Sequence, residues 1–148
     1  MKQQYDTRLP RCLANASDTD KDVLRNYYLT ASLLPKYSGL KQQVIDVLVA
    51  HMGQKSLDIF QIAQVLNMSS RTLQRQLRRN GSSFTQLRDE VRRYHGMRYL
   101  LEQRLPVTQI CNLLGYSDRT SVTHAFHRWV GMSPEELKEI LIPFNELS

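Results

Sequence analysis

The feature that most limits how this chain can fold is an internal duplication. Leu66 and Leu114 stand 48 positions apart, Leu73 and Val122 49 apart, and Gly81 and Gly131 50 apart. Each set marks the same sequence of events. In the first copy, SLDIFQIAQVL (56–66) reads as a short helix with Ser56 as its N-cap, Asn67 and Met68 as a tight turn, and 69–79 as a second short helix closed by Asn80 and Gly81. In the second copy, VTQICNLL (107–114) is followed by the turn residues Gly115 and Tyr116 and by a helix over 118–130. Ile110, Cys111 and Leu114 stand where Ile62, Ala63 and Leu66 stood. A repeat that carries one alternation of apolar and polar positions twice is much harder to obtain by chance than either half alone. Two short helices, a small residue at their crossing and a tight turn make each copy a helix-turn-helix candidate.

Between the copies lies an arginine-rich stretch, 82–104. Phe84, Leu87, Val91, Tyr94, Met97 and Leu101 recur at three- and four-residue intervals, one stripe of an amphipathic helix. Ser83 with Gln86 three positions on is a capping-box signature, and Pro106 stops the pattern. About 21 helical residues would span roughly 31 Å, close to the roughly 34 Å between successive major grooves on one face of B-DNA. Gly96 is discordant, costing on the order of 1 kcal/mol relative to alanine in a helix interior. It marks either a close helix crossing or a kink.

Charge is more informative by position than in total. The 148 residues carry a formal net charge of +6. Residues 69–104 hold nine arginines against three acids, whereas 105–148 hold three basic residues against five acids. A basic field confined to the middle of the chain suits a polyanionic partner, and equally a solvated helix face. On the second helix of the first copy, Leu73 and Leu77 point to a core. Arg71, Gln74, Arg75 and Arg78 then share the opposite face at i, i+3, i+4 and i+7. Arginine pairs with guanine and glutamine with adenine through two hydrogen bonds in the major groove, so this face has the donors for reading bases. In the second copy Val122, Phe126 and Trp129 or Val130 face inward, and Thr120, Thr123, His124 and His127 outward.

The flanks are plainer. NASDTDKD (15–22) reads as a loop in which Ser17, Thr19 or Asp20 caps a helix over 21–34, with Val23, Tyr27, Leu29 and Leu33 or Leu34 as its stripe. Residues 40–52 form an amphipathic helix facing inward through Leu40, Val44, Val47, Leu48 and His51 or Met52, with Gly53 near its end. Ser133, Pro134 and Glu136 start a short closing helix that runs to about Ile140, before Pro143. The expected architecture is all-α: an N-terminal helix and linker (1–39), a first helix-turn-helix subdomain (40–81), a linker helix (82–105), a second subdomain (106–142) and a tail (143–148).

Residues from about Leu40 to Lys138 resemble the DNA-binding region of the AraC/XylS transcription regulators. The motifs that carry the resemblance are MSSRTLQRQLRRNG and ICNLLGYSDRTSVTHAFHRWVGMSP. The resemblance implies seven helices, with a recognition helix from each unit in adjacent major grooves of double-stranded DNA. It places base-reading positions on Arg71, Gln74 and Arg75 in the first unit, and on Arg119, Thr120, Thr123 and His124 in the second. The second unit departs from the family pattern. Val122 replaces a larger apolar residue, thinning the core there. His124 and His127 stand where arginine and lysine are usual, so the second head should hold phosphate more weakly than the first. Cys111 replaces an alanine, which reads as packing.

Other classes fit less well. A module that contacts the transcription machinery without specific DNA binding is the alternative, but it has no need of arginine and glutamine repeated along one recognition face. No Gly-rich phosphate loop or nucleophile-base spacing points to an enzyme, and no cofactor is implied. Cys12 and Cys111 show no ligand or disulfide spacing, and His124 with His127 lacks a third metal ligand. No secretory or membrane-spanning stretch is visible, and a cytoplasmic protein is expected. RNA polymerase, self-association and an effector bound through a separate N-terminal domain are further partners that the resemblance brings into consideration. Residues 1–39 are too short for a complete domain of that kind, so the chain reads as a C-terminal piece or a stand-alone member.

Overall fold

The computed structural model describes residues 17–54 and 56–142. Among these, eight helices and no strands are present: α1 (Asp18–Ala31), α2 (Leu40–His51), α3 (Ile59–Val65), α4 (Ser70–Arg79), α5 (Phe84–Leu101), α6 (Val107–Leu114), α7 (Arg119–Val130) and α8 (Pro134–Leu141). The expected roles of Cys12 and Pro143 and the 143–148 tail lie outside the described residues.

The duplication is written into the backbone. Both helix-turn-helix turns close in the same way, with a residue in the left-handed region and two hydrogen bonds back into the preceding helix. After α3 the left-handed residue is Asn67 (φ 57°), with Met68 N donating to Ala63 O and Asn67 N to Gln64 O. After α6 it is Gly115 (φ 76°), with Tyr116 N donating to Cys111 O and Gly115 N to Asn112 O. The second helices of the two units, α4 and α7, start alike, each on a side-chain cap: Ser69 Oγ accepts from Thr72 N, and Asp118 Oδ1 accepts from Ser121 N. Gly81 and Gly131 then end them, both at positive φ.

Helix α5 is the spine, packing against α1, α2, α4, α6 and α8. It is shorter than its sequence pattern suggests, 18 residues or about 27 Å. It ends at Leu101 rather than at Pro106, because Arg104 turns into the left-handed region and Leu105 N folds back to donate to Tyr99 O. Pro106 instead stands at the N-cap position of α6. The buried stripe runs through Phe84, Leu87, Val91, Gly96, Met97, Leu100 and Leu101, while Tyr94 is only half-buried. Gly96 marks a close crossing. A Cβ there would lie 3.2 Å from both Leu114 Cδ1 and Trp129 Cζ3, so the second unit seats on the one position of α5 without a side chain.

Three local expectations are corrected. Helix α1 begins earlier, on a Ser17–Asp20 capping box, and the first two positions of its stripe move by one residue, while Leu29 and Leu34 pack as expected. Tyr28 is buried (5% exposed) and Leu24 packs on the core, whereas Val23 and Tyr27 face solvent (63% and 48%). In α2, Ile45 joins Val44 and Leu48 in the core. Helix α3 is capped by Asp58, whose Oδ1 accepts from Phe60 N at 2.7 Å, rather than by Ser56. Ser56 Oγ accepts from Asp58 N and so steadies the cap.

Helix α1 is part of this body. It packs on α5 and α8. Arg98 of α5 donates to Leu29 O (3.1 Å) and Ser32 Oγ (3.3 Å) at its C-terminal end.

Candidate nucleic-acid interface

Helix α4 is held from below by Leu73 and Leu77, both fully buried. Each contributes on the order of 1.5–3 kcal/mol by leaving water. With that face fixed, the opposite one is fixed too. Arg71, Gln74, Arg75 and Arg78 are all exposed, as is Arg79 at the last turn. Among the described residues no carboxylate pairs with Arg71, Arg75 or Arg78. Free guanidinium groups on an anchored helix can make two-pronged hydrogen bonds without first breaking an internal one.

Helix α7 is anchored more heavily, by Val122, Ala125, Phe126, Trp129 and Val130. Thr120 and His124 are exposed, and Thr123 is half-buried between them and the core. Arg119 is exposed but pairs with Glu135 at the start of α8, so the one early arginine of this face is already engaged. The Arg119 hydrogen bond helps hold the Glu135 carboxyl below the usual carboxylate value against the upward push of burial. At the start of α7, hydrogen bonds from Ser121, backbone first and side chain second, lower the Asp118 carboxyl as well. The two heads therefore differ. The first offers arginines unpaired among the described residues; the second offers hydroxyls, an imidazole and an arginine held by a carboxylate.

The central basic field divides in two. Arg71, Arg75, Arg78 and Arg79 lie on the open face of α4, but Arg88, Arg92, Arg93, Arg98 and Arg104 are half-buried on or just after α5. Several of these build the protein. Arg92 Nε donates to Leu114 O (2.8 Å) and its Nη2 to Gly115 O (3.2 Å), satisfying the end of α6, and its guanidinium lies 4.2 Å from the centre of the Tyr116 ring. Burial lowers the Arg92 pKa. Reading all nine as one polyanion-facing surface overlooks these carbonyl partners. Conversely, Arg128 and Asp89 carry no signal of their own in the sequence. Arg128 follows His124 by one helical turn and pairs with Asp89, whose other oxygen accepts from Trp129 Nε1 at 3.1 Å.

Two anchored helices with opposed polar faces, each in a helix-turn-helix unit on a shared spine, define the class of helix-turn-helix DNA-binding folds. A helix-turn-helix domain family model matches residues 62–140, and the chain belongs to this AraC-type helix-turn-helix family. It is 32% identical over 139 residues to the ornithine utilization regulator of Pseudomonas aeruginosa, covering 94% of this chain and 40% of that protein. It is also 32% identical over 108 residues to the HTH-type transcriptional regulator VqsM of the same organism, covering 73% of this chain and 33% of the relative. The chain thus spans a third to two-fifths of the length of these relatives. The crystal structure of the transcriptional regulator CdpR from P. aeruginosa superposes with a TM-score of 0.63 at 25% identity, covering 86% of this chain and 37% of that one.

Proposed function

We propose that this chain is the sequence-specific DNA-binding part of a transcription regulator, with no catalytic role, that reads adjacent major grooves through α4 and α7. The observation that carries the reading is the exposed row Arg71, Gln74, Arg75 and Arg78, its arginines unpaired among the described residues, on a helix whose other face is locked by Leu73 and Leu77. Arg119, Thr120, Thr123 and His124 form the second and weaker reader. In this reading 40–81 and 106–142 are the two reading units, 82–105 is their spacer, and 1–39 is a helix and linker, the remnant of an effector-binding or dimerisation domain. The site of action is the cytoplasm, with RNA polymerase as a further partner.

Selection of bound duplexes from a random pool tests this directly. Two conserved blocks one helical turn apart are expected, with affinity falling steeply as salt rises. Recovery of no preferred sequence, or a flat salt response, would overturn the reading.

A further inference from the structure

Two concave surfaces meet along the same side of α5. One, about 340 Å³, lies between Gln74 and Arg78 of α4, Ser83 at the cap of α5, and Thr85 and Arg88 within it. The other, about 660 Å³, is lined by Ser83, Thr85 and Arg88 again and runs on past Arg92 to Tyr116 and Arg128 of the second unit. Because three residues line both, they form one continuous trough that starts at the first recognition helix and ends at the second. Four arginines (88, 92, 93 and 128) border its larger part against two carboxylates, Asp89 and Glu90. Both carboxylates are engaged: Asp89 by Trp129 and Arg128, and Glu90 by the Tyr37 hydroxyl at 3.0 Å. With Arg78 and Asp58 of the smaller part included, five arginines face three acids, so the trough is net positive, and Asp58 too is turned to an internal partner, the Phe60 N–H.

B-DNA fixes what crosses such a trough. Two successive major grooves on one face of a duplex are separated by a minor groove on that same face, bordered by a phosphate row on each side. A duplex seated on α4 and α7 together must lay that minor groove along α5. We infer that the trough is a third contact, in which Arg88 and Arg128 hold the phosphate rows bordering the minor groove between the two reading heads. Arg92 is committed to the Leu114 and Gly115 carbonyls and shapes the floor. Arg88 rests on the Phe84 ring with only a long 3.4 Å hydrogen bond to Leu57 O and has donors left for a phosphate, whereas Arg128 is exposed but paired with Asp89 through one nitrogen and meets a phosphate only with its remaining N–H groups. This contact carries no base identity. It sets the register of the two heads and favours spacers whose minor groove is narrow and strongly negative.

The inference rests on the DNA-binding reading, and its test separates the two. On a duplex chosen by selection, Arg88→Gln and Arg128→Gln should each weaken binding about fivefold at 0.15 M salt and lower the slope of log K against log salt by about 0.9. Preference between matched and mismatched sites should stay unchanged. Arg88→Lys, which keeps the charge, should keep the slope. Ethylation of the phosphates bordering the central minor groove should block the wild type and cease to discriminate against the double variant. Thermal melts of each variant exclude loss of fold, and if Arg128→Gln melts early the Arg88 pair decides alone. Unchanged affinity and slope in Arg88→Gln, with Arg75→Ala still losing the site, would remove the third contact and leave the two heads standing. Failure of the wild type to retain any duplex would remove both.

Discussion

The indole Nε1 of Trp129 donates to the carboxylate of Asp89 at 3.1 Å, joining the second recognition helix to the middle of the spine. The other Asp89 oxygen pairs with Arg128. One acid on α5 therefore fixes both the inner and the outer edge of the end of α7. Replacing Asp89 with alanine leaves the half-buried indole N–H without its acceptor, a loss of about 1–3 kcal/mol. Trp129 is the only tryptophan, so urea unfolding followed by its fluorescence measures that loss directly. An unchanged midpoint would show that the bond contributes nothing net.

Gly96 sits where α5 meets the second unit, with Leu114 and Trp129 each 3.2 Å from the place a Cβ would occupy. Alanine would recover about 1 kcal/mol of helix propensity, and overpacking opposes that gain by about 1–3 kcal/mol. Valine adds two further methyl groups in the same space. Gly96→Val is expected to lower stability by at least about 2 kcal/mol, read by calorimetry or urea titration. A neutral result would mean the crossing is looser than these distances.

Arg75 is exposed and unpaired among the described residues, whereas the second face offers His124 one turn into its helix. Arg75→Ala should weaken specific binding by about 1–3 kcal/mol in gel-shift titrations. His124→Arg is expected to tighten binding and steepen the salt slope by about 1, since a guanidinium brings a permanent charge and a fork of donors to that position. Equal effects of alanine at Arg75 and at His124 would contradict the asymmetry between the heads.

His95 supplies a pH dependence of stability. Burial lowers its pKa below the ordinary 6.5, outweighing the support its ring receives from Val91 O at 2.9 Å. The unfolded chain thus binds a proton at higher pH than the folded one does. Its contribution is fully present above pH 6.5 and is lost as pH falls through the depressed folded value. Urea midpoints should drop between pH 7.5 and 5.5, by less in His95→Gln. Parallel pH profiles for the two proteins would exclude His95 as a source of the effect.

The sequence revealed most where a single residue type fixes the local backbone. Ser83 and Ser133 start their helices as hydroxyl caps, as the pattern indicates, and Gly81, Gly115 and Gly131 follow the helix ends that their freedom at positive φ permits. It misled where neighbouring apolar residues compete for one buried face. Val23 and Leu24, or Tyr27 and Tyr28, differ by only about 100° around a helix of 3.6 residues per turn. The choice is made by Arg98 gripping Leu29 O and Ser32 from a partner 66 to 69 residues away. The linker arginines were legible as charge but not as scaffold, because the carbonyls they satisfy at Leu29, Leu114 and Gly115 belong to helix ends that meet only in the folded chain.

The attachment of α1 also bears on how a signal could enter this body. Since that helix lies on both α5 and α8, and Arg98 clasps its far end, a displacement at Ser17 loads the spine and the closing helix of the second unit together. If α4 and α7 read DNA as proposed, motion arriving there would tilt one against the other without touching the residues assigned to bases.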